Sequence, residues 1–500
     1  MHTGKVTRVL GAVFAIFLPL VARGEAVPLN VEQHEWVQTK WTRANVPLYE
    51  RDGDFYELSG LLPDHRGDLR RGPGWSSMVT ITGLTDIAAM YYDTPYRRYV
   101  MIGKNASDHL AAAYYSSSWT ASSVTELSSA TSNAGGVSGF RAVLFNGSSY
   151  VVGADKKVYK GTSYDQAHSA FYSTADAFLL VRASAELFMI TTAGKVYKLA
   201  DDQASFEIYA TPEETLVPFA AYPYRGYLMV LAQLETGDVG VYRISIPTHS
   251  AFHELTRLYA PIDYYAYYSA ISALHGDVIY FSPGPRKMPD NSYVVDIYAF
   301  NGSQVKKVAE VPGASLYSQA QGLLSWNGEL VYWSLHDTTA KFLVLVGDAF
   351  TSFAPSTAMD ATDFDALAGV LAGDLVVTGV DAKDVQGVRY GGVDKFQDGY
   401  VVSSRLDMGH PGTQKVLHRL TVLLDEAGSG FKVVVKYRVN DVSSWTTATT
   451  GNNTRRVTID DLGVSFYTLE VRVDLDDDTG SEFGLDARIL GMSAVYSEAY

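Results

Sequence analysis

Hydrophobic residues between about residues 76 and 398 come in short runs that are separated by turn residues. One unit consists of Phe145-Asn146-Gly147, Tyr150-Val151-Val152 and Lys157-Val158-Tyr159-Lys160. Similar runs begin at Arg98, Glu186, Arg225, His275, Asn327 and Ala372. Short apolar runs between Gly and Asn turns predict antiparallel strands that are joined by hairpins.

This repeat predicts a β-propeller for residues 76–398. Successive units start roughly 37 to 52 residues apart, which is near the length of a four-stranded propeller blade. Each unit pairs its own strands but cannot bury both faces, so the units are expected to stack around a ring. Asn-Gly at 146–147, 301–302 and 327–328 favours type I′ hairpins, whose two central residues have positive φ. Six or seven blades fit the number of units.

From about residue 399 onward the pattern changes to strict alternation of apolar and polar residues. The apolar positions on one face are Phe431, Val433, Val435, Tyr437 and Val439, and then Tyr467, Leu469, Val471, Val473 and Leu475. Strands with one wet face are typical of an antiparallel β-sandwich or jelly roll, which we predict for residues 399–500. The chain is thus predicted to be all-β, with residues 31–75 as a lead-in segment that joins the propeller.

Residues 1–30 allow two interpretations. Lys5 and Arg8 precede an apolar run over residues 9–22, and small residues follow around Gly24 and Ala26. This order is typical of a secretory signal peptide, which would be cleaved near residue 26. The alternative is an apolar arm that packs against the body of the protein or a neighbouring subunit. The run is too short to cross a bilayer as a helix, and no later segment is apolar enough, so we expect no membrane span.

Composition narrows the range of functions. The net charge is −15, and such a surface repels the phosphates that a nucleic-acid reader must neutralise. Passive contact with DNA that slides past remains compatible with this charge. The chain has no cysteine, which excludes disulfides, Cys-ligated metal and thiol nucleophiles. Its 34 tyrosines favour sheets and subunit interfaces.

No motif points to catalysis. His34-Glu35 and His253-Glu254 lack the second histidine of a zinc-protease helix. An acidic stretch could bind calcium or could be a solvated loop between two strands; it contains Asp474, Asp476, Asp477, Asp478, Glu482 and Asp486. The paired carboxylates of a propeller glycosidase cannot be located in the sequence. We therefore predict no enzyme activity and no cofactor, with no catalytic, cofactor-binding or metal site.

Two stretches resemble β-propeller proteins of tailed-bacteriophage virions. Residues 60–75 (GLLPDHRGDLRRGPGW) are similar to the segment that introduces the first blade in those proteins. Residues 402–409 (VSSRLDMG), followed by residues 415–425, Tyr437 and Ser444-Trp445, resemble the C-terminal sandwich that often follows such propellers. The resemblance implies a ring-forming building block of the tail or the head–tail junction, without catalytic residues.

The leading hypothesis is therefore a non-catalytic structural protein of the virion. It would assemble into homo-oligomeric rings around the DNA path and contact other tail or connector proteins. The alternative is a secreted or periplasmic propeller that binds a partner, with the sandwich as a carbohydrate-binding module. Tyr and Trp side chains such as Trp445 would then stack on sugar rings, although a core or turn role for Trp445 is the simpler interpretation.

Overall fold

The computed structural model describes most of the chain between residues 33 and 498. The described residues are 33–38, 42–43, 54–59, 61–63, 69–71, 75–79, 81–93, 96–116, 121–163, 165–183, 185–246, 252–258, 270–312, 321–336, 339–346, 349–358, 367–371, 374–378, 385–388, 399–403, 405–408, 410–425, 431–452, 455–477 and 488–498. The apolar segment within residues 1–30 and part of the acidic stretch, residues 478–487, lie outside them.

All regular elements of the described residues are strands, as predicted. No helix in that part of the chain has the length and apolar character needed to cross a membrane. Six strands come before the first repeated sheet: β1 (Gln33–Gln38), β2 (Thr42–Arg43), β3 (Asp54–Ser59), β4 (Leu61–Pro63), β5 (Leu69–Arg71) and β6 (Trp75–Val79).

Seven antiparallel groups of four or five strands follow one another in the described part of the chain, and we number them as blades 1 to 7; blade 6 is part of a ten-stranded sheet, and the other six are separate sheets. Blade 1 contains β7 (Asp86–Asp93), β8 (Arg98–Lys104), β9 (Leu110–Ser116) and β10 (Ala121–Ser128). Blade 2 contains β11 (Ala142–Phe145), β12 (Ser148–Val152), β13 (Val158–Gly161) and β14 (Ser169–Tyr172). Blade 3 contains β15 (Ala177–Ala183), β16 (Glu186–Thr191), β17 (Val196–Leu199) and β18 (Phe206–Ala210). Blade 4 contains β19 (Leu216–Tyr224), β20 (Tyr227–Leu234), β21 (Val239–Ser245) and β22 (His253–Leu258). Blade 5 contains β23 (Ile271–His275), β24 (Val278–Ser282), β25 (Pro285–Lys287), β26 (Tyr293–Phe300) and β27 (Val305–Pro312). Blade 6 contains β28 (Gln321–Trp326), β29 (Glu329–His336), β30 (Thr339–Val346) and β31 (Ala349–Ala358). Blade 7 contains β32 (Leu367–Leu371), β33 (Asp374–Thr378) and β34 (Val385–Val388), and β6 is its fourth strand.

The seven blades close into a ring. The first strand of each blade contacts the first strand of the next, in the order β7, β11, β15, β19, β23, β28 and β32, and β32 contacts β7 again. The seam is hydrogen-bonded, because β6 from the start of the chain pairs antiparallel with β34 in blade 7. The described residues between 75 and 388 therefore form a seven-bladed β-propeller, which confirms the prediction of a propeller for this part of the sequence.

The apolar core of the ring lies between neighbouring blades. Val376 of blade 7, for example, packs in one cluster with Ile87 and Met101 of blade 1. Phe281 and Phe300 of blade 5 share a cluster with Leu231 of blade 4. Each sheet thus buries its two faces against its neighbours, which is the reason a single blade cannot be stable alone.

Two of the three predicted Asn-Gly hairpins have the expected geometry. Asn146 and Asn327 have φ of 48° and precede Gly147 and Gly328, which also have positive φ. The prediction of a type I′ hairpin at Asn301 is wrong, because Asn301 is outside the positive-φ region. Its side-chain oxygen instead accepts hydrogen bonds from the backbone N–H groups of residues 303 and 304. A longer loop between β26 and β27 removes the need for a two-residue turn.

Eight strands follow the ring: β35 (Gly399–Ser403), β36 (Lys415–Leu424), β37 (Phe431–Val439), β38 (Thr446–Asn452), β39 (Arg456–Ile459), β40 (Val464–Phe466), β41 (Leu469–Asp477) and β42 (Arg488–Glu498). They belong to two sheets, one with the path β35-β41-β37-β38 and one with β39-β36-β42. The alternation predicted from the sequence is confirmed for Val433, Val435 and the apolar residues of β41, which are buried in one core cluster. Tyr467 departs from it: this residue precedes β41 and its side chain is 45% exposed.

The lead-in segment completes these C-terminal sheets. β1 and β5 pair with β42, and β3 pairs with β35 over Phe55 to Ser59. β3 also pairs in parallel with β31, the outer strand of blade 6, through Ser59 and Ser352. One hydrogen-bonded path therefore runs from blade 6 through β3 into the C-terminal sheet that contains β35. We call the two C-terminal sheets, together with β1 to β5, the C-terminal unit.

Candidate functional site

The acidic stretch is engaged in ion pairs where the structure describes it. Asp474 on β41 contacts the Lys436 ammonium at 2.8 Å and the Arg472 Nε at 2.6 Å. The Arg472 guanidinium also lies over the Tyr400 ring, 3.8 Å from its centroid. In the described part of the chain, no group of three or more His, Asp or Glu side chains could hold a metal ion. Asp474 therefore pairs with cations on the sheet surface, and Asp478, Glu482 and Asp486 of the acidic stretch lie outside the described residues.

Trp445 does not present a free ring to a sugar. The Arg438 guanidinium lies over this ring at 4.6 Å, and Arg438 makes a bidentate ion pair with Glu470 at 2.6 and 2.8 Å. Glu470 is buried, so the pair fixes Arg438 and, through it, one face of Trp445. Carbohydrate binding at Trp445 stays an alternative prediction.

A Ser–His pair in blade 2 has the geometry of a nucleophile and its base. The Ser149 hydroxyl lies 2.5 Å from the His168 Nε2, and His168 Nδ1 lies 2.8 Å from the Gln166 carbonyl oxygen. Nδ1 therefore donates, and Nε2 accepts the serine proton. Both side chains are buried between β12 and the loop before β14, where no substrate can reach the hydroxyl. The pair is a structural hydrogen bond of the blade.

An apolar depression between blades 4 and 5 offers no acid–base chemistry. Its lining residues are Val217, Phe219, Gln233, Val239, Ala270 and Pro283. None of these groups titrates, so the depression can accept an apolar group but cannot activate one.

Exposed tyrosines lie in tight turns on one side of the ring. In a four-stranded antiparallel blade, the turn between the first two strands and the turn between the last two lie at the same end. We call this side of the ring the front face, and the opposite side, with the middle turns and the connections between blades, the back face. Tyr96 and Tyr227, exposed by 62% and 36%, both belong to front-face turns, in blades 1 and 4.

Arginine and tyrosine stack on each other in these two turns. In blade 1 the Arg98 guanidinium lies between the rings of Tyr96 and Tyr114, at 4.6 and 5.0 Å. In blade 4, Arg225 lies over Tyr224 at 5.0 Å and Arg243 over Tyr227 at 5.3 Å. Exposed cation–π pairs contribute about 0.5–1 kcal/mol each, and they hold the guanidinium groups in place at the surface.

Two arginines of the front face have a left-handed backbone, and one of them stands where other blades have asparagine. Arg97, the last residue before β8, has φ of 52°, and Arg225 has φ of 49° at the hairpin position that Asn146 and Asn327 hold in blades 2 and 6. A non-glycine residue with positive φ is uncommon, and Asn tolerates it better than Arg. The arginine side chain is thus present at some cost in backbone strain, which points to a role at the surface.

Further bonds fix both turns to the neighbouring blade. Tyr224 donates a hydrogen bond to the carbonyl oxygens of Asp277 and Asn301 in blade 5, at 2.9 and 3.2 Å. Arg98 makes ion pairs of 3.6 Å with Asp93 and with Asp165 of blade 2. Burial raises the pKa of the Asp93 carboxyl, whereas a hydrogen bond from Ser163 lowers the pKa of Asp165. Through Asp165, Arg98 links this turn of blade 1 to blade 2.

Sequence reasoning assigned no residue to this surface, although a signal was present. Arg225-Gly226 occupies the place of Asn-Gly in the repeat, and Tyr-Arg combinations occur at both turns. Single residues of this kind become a surface only after the ring places their turns on one side.

No protein-family model and no curated protein match this chain. Solved structures do match. A chain of "YCF48 bound to D1 peptide" is 11% identical, with a TM-score of 0.39 over 63% of this chain and 97% of that chain. BamB from Moraxella catarrhalis is 10% identical, with a TM-score of 0.38 over 67% and 99%. A chain of the mitotic checkpoint complex is 12% identical, with a TM-score of 0.43 over 74% and 99%. These likenesses concern the fold alone, and the propeller assignment rests on the ring of paired strands.

Proposed function

We propose that this chain is a non-catalytic structural component of a bacteriophage tail or head–tail junction that assembles into rings around the DNA path. The observation that carries the proposal is the hydrogen-bonded path from blade 6 through β3 into the C-terminal unit. Such a path transmits load between two parts without a flexible linker, as a building block of a particle requires. The setting in the virion is supported by the resemblance of residues 60–75 and 402–409 to virion propellers.

We further propose that the two C-terminal sheets form a β-sandwich. Residues of both sheets share one apolar cluster, with Val433 and Val473 from one and Leu420 and Met492 from the other. Two sheets that bury a common core are typical of a sandwich. In the proposed particle this unit is a second rigid contact surface beside the propeller.

The test of the virion role is the composition of purified particles. Particles from the native host would be purified by density gradient, and their proteins quantified by mass spectrometry. We expect the chain in a small, fixed copy number relative to the major capsid protein, and electron microscopy with a specific antibody should label the tail or its junction. A chain that is missing from infectious particles and accumulates outside them would overturn the proposal.

A further inference from the structure

Blade 4 carries opposite charges at its two ends. At the front face it presents Arg225, with a side chain that is 61% exposed, and the exposed Arg243. At the back face the connection before β19 and the turn between β20 and β21 present carboxylates: Glu213, Glu214, Glu235 and Asp238. The two ends of this blade are therefore complementary in charge.

Part of this charge is not neutralised by neighbouring residues. Arg257 contacts Glu214 at 3.3 Å and Glu254 at 2.6 Å, so it covers one of the four back-face carboxylates. Glu213 and Glu235 have no basic partner among the described residues, and Arg243 has no acidic one there. Arg225 is shared with Asp277, which is itself 80% exposed. Each end thus keeps charge that a second surface of opposite sign can pair.

The front end also has the composition of a protein-binding surface. Tyr and Arg are among the residues that most often dominate binding energy at interfaces, because Tyr covers a large area with few rotatable bonds and the planar Arg guanidinium forms several hydrogen bonds and stacks on rings. Here Tyr224, Tyr227, Arg225 and Arg243 form two stacked pairs beside a hydrogen-bonded turn, so little side-chain freedom would be lost on binding. The positive φ of Arg225 shows that the turn holds an arginine where asparagine would be less strained.

We infer that copies of this chain stack front to back, with Arg225 and Arg243 of one copy against Glu213 and Glu235 of the next. The inference deepens the proposed function, on which it rests for the choice of a second copy as the partner. Because the two surfaces differ, the contact is head-to-tail, and it generates a ring where the rotation between copies closes and an extended stack where it does not, but never a closed pair. With a net charge of −15 per chain, copies repel each other unless such complementary surfaces meet.

A charge-swap experiment on the full chain tests this contact. Variant one carries Arg225→Glu and Arg243→Glu, and variant two carries Glu213→Arg and Glu235→Arg. We expect the wild-type chain to sediment as concentration-dependent oligomers at low salt, and each variant alone to remain monomeric, with a dissociation constant raised at least tenfold. An equimolar mixture should associate again, because each end of variant one then faces an end of opposite charge on variant two.

Two controls separate this effect from misfolding and from net charge. Lys306→Glu with Arg456→Glu reverses two charges at exposed positions outside blade 4 and should leave association unchanged. Arg225→Asn places at this turn the residue that blades 2 and 6 use, so it should retain the melting temperature and weaken association. Added salt should weaken the wild-type contact as well.

Specific outcomes would overturn the stacking contact. The contact is rejected if the wild-type chain stays monomeric at all concentrations. It is also rejected if either variant alone associates like the wild type, or if the mixture of the two variants fails to associate. Presence of the chain in purified particles is a separate result. Particles that assemble normally when either variant is the only copy of the chain would reject stacking alone, whereas a working charge swap without any chain in particles would reject the virion role alone.

Discussion

His168 shows how a histidine can belong to a blade without serving chemistry. Its ring is buried, and burial lowers its pKa, so the folded protein holds it neutral. In the unfolded chain the ring binds a proton below roughly pH 6.5. The free energy of unfolding is therefore unaffected by His168 above that pH and falls as the pH drops through it, because the unfolded state then binds more protons.

We expect His168→Gln to reduce this pH dependence. Urea unfolding at pH 7.5, 6.5 and 5.5 would compare the variant with the wild type, so that the contribution of the carboxylates cancels. The variant should lose less stability than the wild type between pH 7.5 and 5.5. Some slope should remain, because burial also lowers the pKa of His275. Identical slopes in the two proteins would show that His168 is accessible to protons in the folded state.

Asp296 in blade 5 is a second residue whose burial defines its role. Its side chain is 3% exposed and contacts Arg286 Nε at 2.7 Å and Lys307 Nζ at 2.8 Å. Asp296→Asn would leave Arg286 and Lys307 with the half-exposed Glu310 as their shared counterion, and we expect a loss of about 2–3 kcal/mol in the free energy of unfolding, because the buried carboxylate is lost while both cations remain. Asp290→Asn, at an exposed carboxylate of the same blade, should change it by less than about 0.5 kcal/mol. Chemical denaturation distinguishes the two, and equal effects would contradict this account.

At the scale of elements, the seam between β6 and β34 decides whether the ring is closed. Strand β6 comes before blade 1 in the sequence, and strands β32 to β34 come at the end of the propeller, yet the four strands form one blade. Ser77 and Ser76 are paired with Gln386 and Gly387. Hairpin patterns predicted the blades well because each is built from neighbouring strands, whereas this pairing has no local signal.

A disulfide across the seam tests its importance. The chain has no cysteine, so Ser77→Cys with Gln386→Cys, or Ser76→Cys with Gly387→Cys, would introduce a single bridge. One of two adjacent antiparallel pairs has the closer, non-hydrogen-bonded geometry that suits a disulfide. The oxidised form of that variant should be more stable than its reduced form by about 2–4 kcal/mol, measured by thermal unfolding with and without reductant. Equal melting temperatures for both pairs would show that the seam opens after the rest of the ring.

At the scale of the whole molecule, the C-terminal unit depends on strands from both ends of the chain and on one shared core. Leu469 is fully buried in that core, whereas Leu423 on β36 is 42% exposed. Leu469→Ala should cost about 2–5 kcal/mol, and Leu423→Ala, the same chemical change at the surface, clearly less. Calorimetry would also show whether the propeller transition moves with that of the C-terminal unit, as the pairing of β3 with β31 predicts. Equal costs at the two leucines would mean that the core is not shared.

The sequence by itself determined the strands, most of the turns and the apolar faces. These depend on neighbouring residues: Asn146-Gly147 selects its turn, and the alternation along residues 469–475 selects a buried face. The repeat also predicted the propeller. Only the tertiary structure decided the count of seven, the seam at β6, the pairing of the lead-in segment with the C-terminal strands, and the gathering of arginines and tyrosines on the front face. Those features join residues far apart in the chain, and the free energy that fixes them comes from ring closure and shared cores, which leave no local pattern.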